Sequence, residues 1–191
     1  MSPREAMLRV EEQAKRQVSR YYVPDLSRAA TGDALPGLPG LAEGVAQLAR
    51  ETGVRADWTR LADGVSEGRL SWFGVSWPRF AETPDWHLDP VSGQHWPAQA
   101  YCFDVSYRHA GSFGDVKFVW ELGRLQYLQP LAALAHASHD AALAERVLAH
   151  VASWIAANPP YRGIHWCSGI ELALRCVSLL IVASLLGPAI R

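Results

Sequence analysis

The chain has 191 residues, with only three cysteines and two methionines. Cys102, Cys167 and Cys176 are odd in number and form no C-x-x-C pair. That argues against a disulfide framework and a zinc knuckle, and leaves thiols packed as small hydrophobes. An excess of charge of one sign is lacking too: 18 Lys and Arg face 19 Asp and Glu. Nothing in that balance attracts a nucleic acid or a membrane surface, and no basic cluster is interleaved with aromatics. Long hydrophobic runs are few. The most apolar, from Cys176 to Ile190, is short for a bilayer crossing and directly follows Arg175. It reads as a buried helix, so no membrane insertion is expected. The opening MSPREAMLRVEEQAKRQ is charged every few residues and has no apolar h-region, so no secretory signal is visible. G-x-S-x-G, P-loop, H-E-x-x-H and a dinucleotide-binding G-x-G-x-x-G are all missing, and no cofactor or metal is expected.

What is abundant is apolar surface, 49% of residues, enough for one domain with a substantial core. Tryptophan is abundant as well. Of eight, five (Trp58, Trp72, Trp77, Trp86 and Trp96) fall between residues 58 and 96. Two readings stay open: a surface for sugars or other flat amphipathic ligands, or a loop-rich region held together by large aromatics. Periodicity predicts helices over Pro3–Tyr22, Leu41–Arg50 and Val54–Leu61, with a turn-rich stretch at 30–40. Residues 68–114 read as a long loop with short strands, and such loops tend to be functional. Asp115 is a fair N-cap for a long apolar helix that Pro130 should kink or split. Ala141–Ala157 follows, stopped by Asn158-Pro159-Pro160. Ser168 and Glu171 have the spacing of a capping box for a last helix, Gly169–Leu186, with Gly187-Pro188 as its stop.

Three groups of residues are candidates for chemistry. Lys117, Glu121 and Arg124 are spaced four and then three apart, on one face of a helix otherwise almost wholly apolar. They form either an ion-pair ladder or the lining of a cleft. Glu171 and Arg175 stand four apart, acid first, the favourable order for a helical ion pair. His165 and Trp166 precede the N-terminus of the last helix, a position suited to an anion, where histidine adds a donor and tryptophan a stacking face. Asp85, His87, Asp89 and His95 match no strong metal motif, and Asp89-Pro90 with Ser92-Gly93 reads better as a turn.

These segments resemble a known family. "GDVKFVWELGRLQYLQPLA", "WIAANPP" and "GIHWCSGIELALR", in that order, with "DWHLDPVSGQHWP" upstream, resemble the N-terminal region of the heparinase II/III family of polysaccharide lyases. The resemblance covers roughly residues 68–186, and its centre is the K-x-x-W-E-x-x-R helix of Lys117, Trp120, Glu121 and Arg124. It implies an all-α fold: a partial (α/α) toroid of helical hairpins around a cleft, normally followed by a β-sandwich domain. The implied chemistry is β-elimination on uronate-containing polysaccharide. A donor neutralises the uronate carboxylate so that the C5 proton can leave, a base removes that proton, and an acid protonates the departing oxygen. His165 stands where many relatives have the asparagine that serves as neutraliser, and is the candidate catalytic residue. Lys117, Trp120, Glu121, Arg124, Trp166, Glu171 and Arg175 are the candidate substrate-binding residues.

In relatives the remaining helices, the acid–base tyrosine and histidine, and the sandwich all lie beyond the position of Arg191. The resemblance therefore implies part of an enzyme, inactive by itself, with an acidic polysaccharide as partner and self-association through an exposed face. Family members are often periplasmic or secreted, and the compartment of this chain stays open. Two rivals remain: a non-catalytic glycan-binding or scaffold protein, and an inverting glycoside hydrolase on a helical toroid. The latter would use Glu121 and Glu171 set about 6.5–9.5 Å apart.

Overall fold

A computed structural model describes residues 2–23, 37–78, 80, 83–107 and 113–187. Most of the turn-rich stretch at 30–40 and the Pro188 stop lie outside the described residues. The described chain is predominantly helical, as expected. Its helices are α1 (Pro3–Tyr21), α2 (Leu41–Leu48), α3 (Thr52–Ser66), α4 (Val116–Gly123), α5 (Leu128–Ser138), α6 (Ala141–Ala157) and α7 (Gly169–Leu186). One small hairpin joins them, β1 (Ser71–Trp72) against β2 (Val75–Ser76), with Trp72 opposite Val75.

Helix α5 organises the core because nearly every residue on it is small or aliphatic. Leu128, Leu131, Ala132, Ala133, Leu134 and Ala135 are all buried, the burial of a helix apolar all round. α2, α3, α6 and α7 all pack against it. Val65, Leu122, Leu125, Val147, Val182 and Leu185 complete the shell around it.

The break between α4 and α5 is not where proline predicts it. Pro130 is the third residue of α5, in the first turn, where a missing N–H costs no helical bond. The chain turns instead at Leu125, which adopts φ +59° with its side chain fully buried. Burial of that leucine outweighs the ordinary preference against a left-handed backbone. α3 is longer than its periodicity indicates, and starts at Thr52 rather than Val54.

Both outer helices depart from the simple amphipathic pattern. α1 begins with a capping box, Ser2 and Glu5, and buries none of its residues. Its C-terminal turns are held by polar contacts. Tyr101 Oη donates to Arg16 O at 2.5 Å, and Arg20 donates twice to the Asp104 carboxylate at 2.6 and 2.7 Å. α7 is inverted: Glu171, Arg175 and Ser178 face inward with Val182 and Leu185, while Ile170, Val177 and Leu180 are exposed. The whole of α7, Gly169–Leu186, is long and apolar enough by length and composition to cross a membrane, but it includes the buried Glu171 and Arg175 and packs against α2, α4 and α5.

The tryptophans of the 68–114 region mostly point inward. Trp77, Trp86 and Trp96 are buried and Trp72 is half-buried, as is Trp58 on α3, so this loop is built on large aromatics. The Asp89 turn holds as expected. Its carboxylate accepts from Val91 N, Ser92 Oγ and Asp115 N, tying the loop to the start of α4. Gly114 is required there, since a Cβ at its φ of +85° would fall 1.5 Å from Asp89 Oδ2.

Candidate functional site

Asp115 caps α4, accepting from Lys117 N at 2.9 Å. With the register fixed at that end, Lys117, Glu121 and Arg124 fall on one side of α4. They line an open groove of about 350 Å³ with Asp115, Phe118 and Phe73 of the β1–β2 turn. Two larger depressions flank α3. One is lined by Arg50, Arg55 and Arg60, the other by Arg60, Arg69 and the base of the hairpin. The α4 groove is the one that gathers residues singled out by sequence.

Its charges are already committed in part. Arg124 donates to both oxygens of Glu171, Nε to Oε2 at 2.7 Å and Nη2 to Oε1 at 3.0 Å, and Nη1 donates to Glu121. The hydrogen bonds to Glu171 hold the guanidinium charged, above its usual range. Lys117 is exposed and is the groove cation without an ion-pair partner among the described residues. Asp115 and Glu121 balance Lys117 and Arg124, so a ligand carboxylate would be recognised by Lys117 at close range rather than by a strong field.

Glu171 is thereby not the cap of α7. The Ser168 side chain makes no capping hydrogen bond, and the Glu171 carboxylate is turned into the protein toward Arg124. Two parallel charge-assisted bonds outweigh one reach back to a backbone N–H. Nor does Glu171 pair with Arg175. That guanidinium donates to Gly123 O at 2.6 Å and His165 O at 3.2 Å, and lies 4.2 Å from the centre of the Trp154 ring. Burial lowers the Arg175 pKa to about 10, which leaves it charged at neutral pH. Arg175 and Glu171 are both buried and brace the wall beneath the groove.

His165 does not reach any cleft. It is 0% exposed, with Nε2 hydrogen-bonded to Trp86 O at 2.7 Å and Nδ1 unpartnered. The ring lies directly on Gly123, where an added Cβ would be 2.2 Å from Nδ1. Burial, then the nearby Arg175 charge and then His87, hold it well below the usual histidine range. It is a neutral imidazole, so its Nε2–H donates to the carbonyl. The expected direct contact between His165 and a substrate carboxylate is corrected: there is no exposed donor to offer. Its function is positional, joining the Trp86 loop, α4 and the 3-10 turn Ile164–Trp166.

The tryptophans of the candidate set are fasteners as well. Trp120 Nε1 donates to Ile164 O at 3.0 Å, and Trp166 Nε1 to Asn158 O at 3.2 Å. Both are half-buried. Tyr127 is buried, hydrogen-bonded to His150 Nδ1 at 2.8 Å, and burial holds its phenol well above the usual range. It is no base at neutral pH. Cys102 and Cys167 are pushed up to about 11 and about 12 by burial, so these thiols stay protonated. Cys176, read as packed, is exposed. Asp85 pairs with His95 at 2.7 Å and accepts from His87 N at 3.3 Å, while the His87 ring is buried in contact with His165. Among the described residues no group of three His, Cys, Asp or Glu side chains is arranged to hold a metal ion.

Sequence reasoning missed Phe73. The signal was the two-residue spacing between Trp72 and Val75 filled by Phe-Gly, a tight-turn length inside a run of β-formers. No family model, no curated protein and no solved structure matches this chain.

Proposed function

We propose that the chain is a helical module that binds uronate-containing polysaccharide along the α4 groove, part of a heparinase II/III-like lyase, and inactive by itself. The observation that carries this reading is the gathering of Lys117, Glu121 and Arg124 of the K-x-x-W-E-x-x-R helix on one groove beside two phenylalanines. The proposed architecture is a partial (α/α) toroid. Lys117 supplies the charge that meets a uronate carboxylate. Phe73 and Phe118 supply apolar surface for the C–H face of a sugar ring.

Elimination needs a base beside the C5 proton as well as a neutraliser at the carboxylate. In this groove the titratable side chains are Asp115, Lys117, Glu121 and Arg124, two of them locked in one ion pair. Of the two groove carboxylates, Glu121 is held in that ion pair and Asp115 is the helix cap, which supports binding without turnover. The buried His165 also favours the second reading, a glycan-binding or scaffold protein with no lytic activity in any form. An inverting hydrolase fits less well, because one guanidinium bridges Glu121 and Glu171. It fills the gap in which a water and a sugar would have to sit.

The test is incubation of the 191-residue chain with polygalacturonate, alginate and hyaluronan. Retention in affinity electrophoresis is read alongside ultraviolet absorbance of unsaturated uronate. Retention by at least one polymer without absorbance is expected. No retention by any of them sinks the reading. Retention together with new reducing ends and no unsaturated sugar would move it to the hydrolase.

A further inference from the structure

Phe73 occupies an unusual place. β1 and β2 are joined by two residues only, Phe73 and Gly74, with φ of +52° and +75°. Positive φ at both positions is the pattern of a type I′ turn, whose first position favours asparagine, aspartate or glycine. A phenylalanine there is strained by its Cβ. Burial does not compensate, because Phe73 is 75% exposed. Folding alone therefore gives no reason for an aromatic at this tip.

The rest of the hairpin is rigidly seated. The Trp72 ring packs edge-on against Trp77 at 5.1 Å and Tyr127 at 5.7 Å, and Trp77 N donates to Leu70 O at 2.8 Å. The strained tip is thus presented on a fixed base, at the rim of the groove that contains Lys117, Phe118 and Glu121. A rigid aromatic placed this way costs little ordering entropy when a ligand arrives.

We propose that Phe73 is the stacking platform of this groove and, with Lys117, holds one uronate residue of an acidic glycan. The apolar C–H face of the pyranose lies on the phenyl ring, the carboxylate meets Lys117 Nζ, and Glu121 accepts from a ring hydroxyl. An apolar ring face, a cation and a carboxylate at one place fit the uronate that the glycan reading supplies as ligand class. This inference rests on the glycan reading of the groove, and names the residue that sets its preference for rings.

Two variants test it, with the whole chain and size-defined oligogalacturonate as the probe in calorimetric titration. Phe73→Asn places the preferred residue in the turn, and should raise Tm by roughly 2–4 °C. Its affinity for the oligomer should nonetheless fall roughly tenfold. Phe73→Tyr should keep the wild-type affinity. A Phe73→Asn protein that binds as tightly as wild type overturns the proposal, since the ring then contributes nothing. Wild-type protein that binds neither oligogalacturonate nor an alginate oligomer overturns the glycan reading itself, and this assignment with it.

Discussion

At the scale of single residues, the buried histidines govern how this protein responds to acid. His150 is enclosed by Tyr127 and Phe80, and burial, with a smaller effect of Arg146, lowers its pKa to about 4. Above pH ~6.5 it is neutral whether the chain is folded or not, and contributes no pH dependence. As pH falls below that, the unfolded chain takes up a proton that the folded site refuses. Stability is then lost progressively until about pH 4, by roughly 3 kcal/mol from this residue. His165 and His87 are shifted in the same direction by burial. Urea unfolding measured from pH 7.5 to 4.5 should show midpoints falling steadily. The slope should be shallower in His150→Gln, and an unchanged slope would mean that His150 already protonates in the folded state.

At the scale of elements, the joint between α4 and α7 is where charge is converted into geometry. Arg124 lies on the residue after α4, and Glu171 in the first turn of α7. Their bidentate pair is nearly enclosed, the Glu171 side chain keeping 5% of its exposure. Removing one partner strands the other's charge in a poorly solvated place. Arg124→Ala should therefore cost about 3 kcal/mol, while the apolar pair Arg124→Met with Glu171→Leu should cost clearly less. Denaturant midpoints of the two singles and the double complete the cycle. A cost for Arg124→Ala below ~1 kcal/mol would place this pair with exposed ones of little worth. Because Glu121 leans on the same guanidinium, the loss of Arg124 should also loosen the groove wall and weaken glycan retention.

At the scale of the whole molecule, α7 leaves an apolar face in water. Its inward side carries the charged residues, fixed by α4 and the Ile164–Trp166 turn, so its outward side is left with Ile170, Val177 and Leu180. Val177 is 54% exposed. Faces of this kind seek cover, and we propose that this one is the exposed face through which the chain self-associates, as the resemblance implies. Sedimentation velocity across a hundredfold range of concentration should show reversible association of the wild-type chain. Val177→Lys with Leu180→Lys should be monomeric throughout, with thermal stability little changed because both side chains face solvent. A wild-type chain that stays monomeric at the highest concentration removes this part of the proposal.

Some of this was determined by the sequence itself. The helical limits at Asp115, Ala141 and Asn158-Pro159, the Asp89 turn, and the common face of Lys117, Glu121 and Arg124 depend on groups within four residues of each other. Hydrogen bonds and sterics at that range leave few choices. Tertiary structure decided what depends on competition between distant partners. Ser168 and Glu171 have the spacing of a cap, but Arg124, forty-seven residues away in sequence from Glu171, offers that carboxylate two charge-assisted bonds and takes it. Pro130 has the signature of a break, yet the chain turns at Leu125 because that leucine finds a place in the core. His165 has the position of a ligand contact, and close packing on Gly123 and Trp86 closes it off from solvent. The cap that Glu171 forgoes is worth about 1 kcal/mol, less than the cost of leaving the buried charge of Arg124 or Glu171 without its partner.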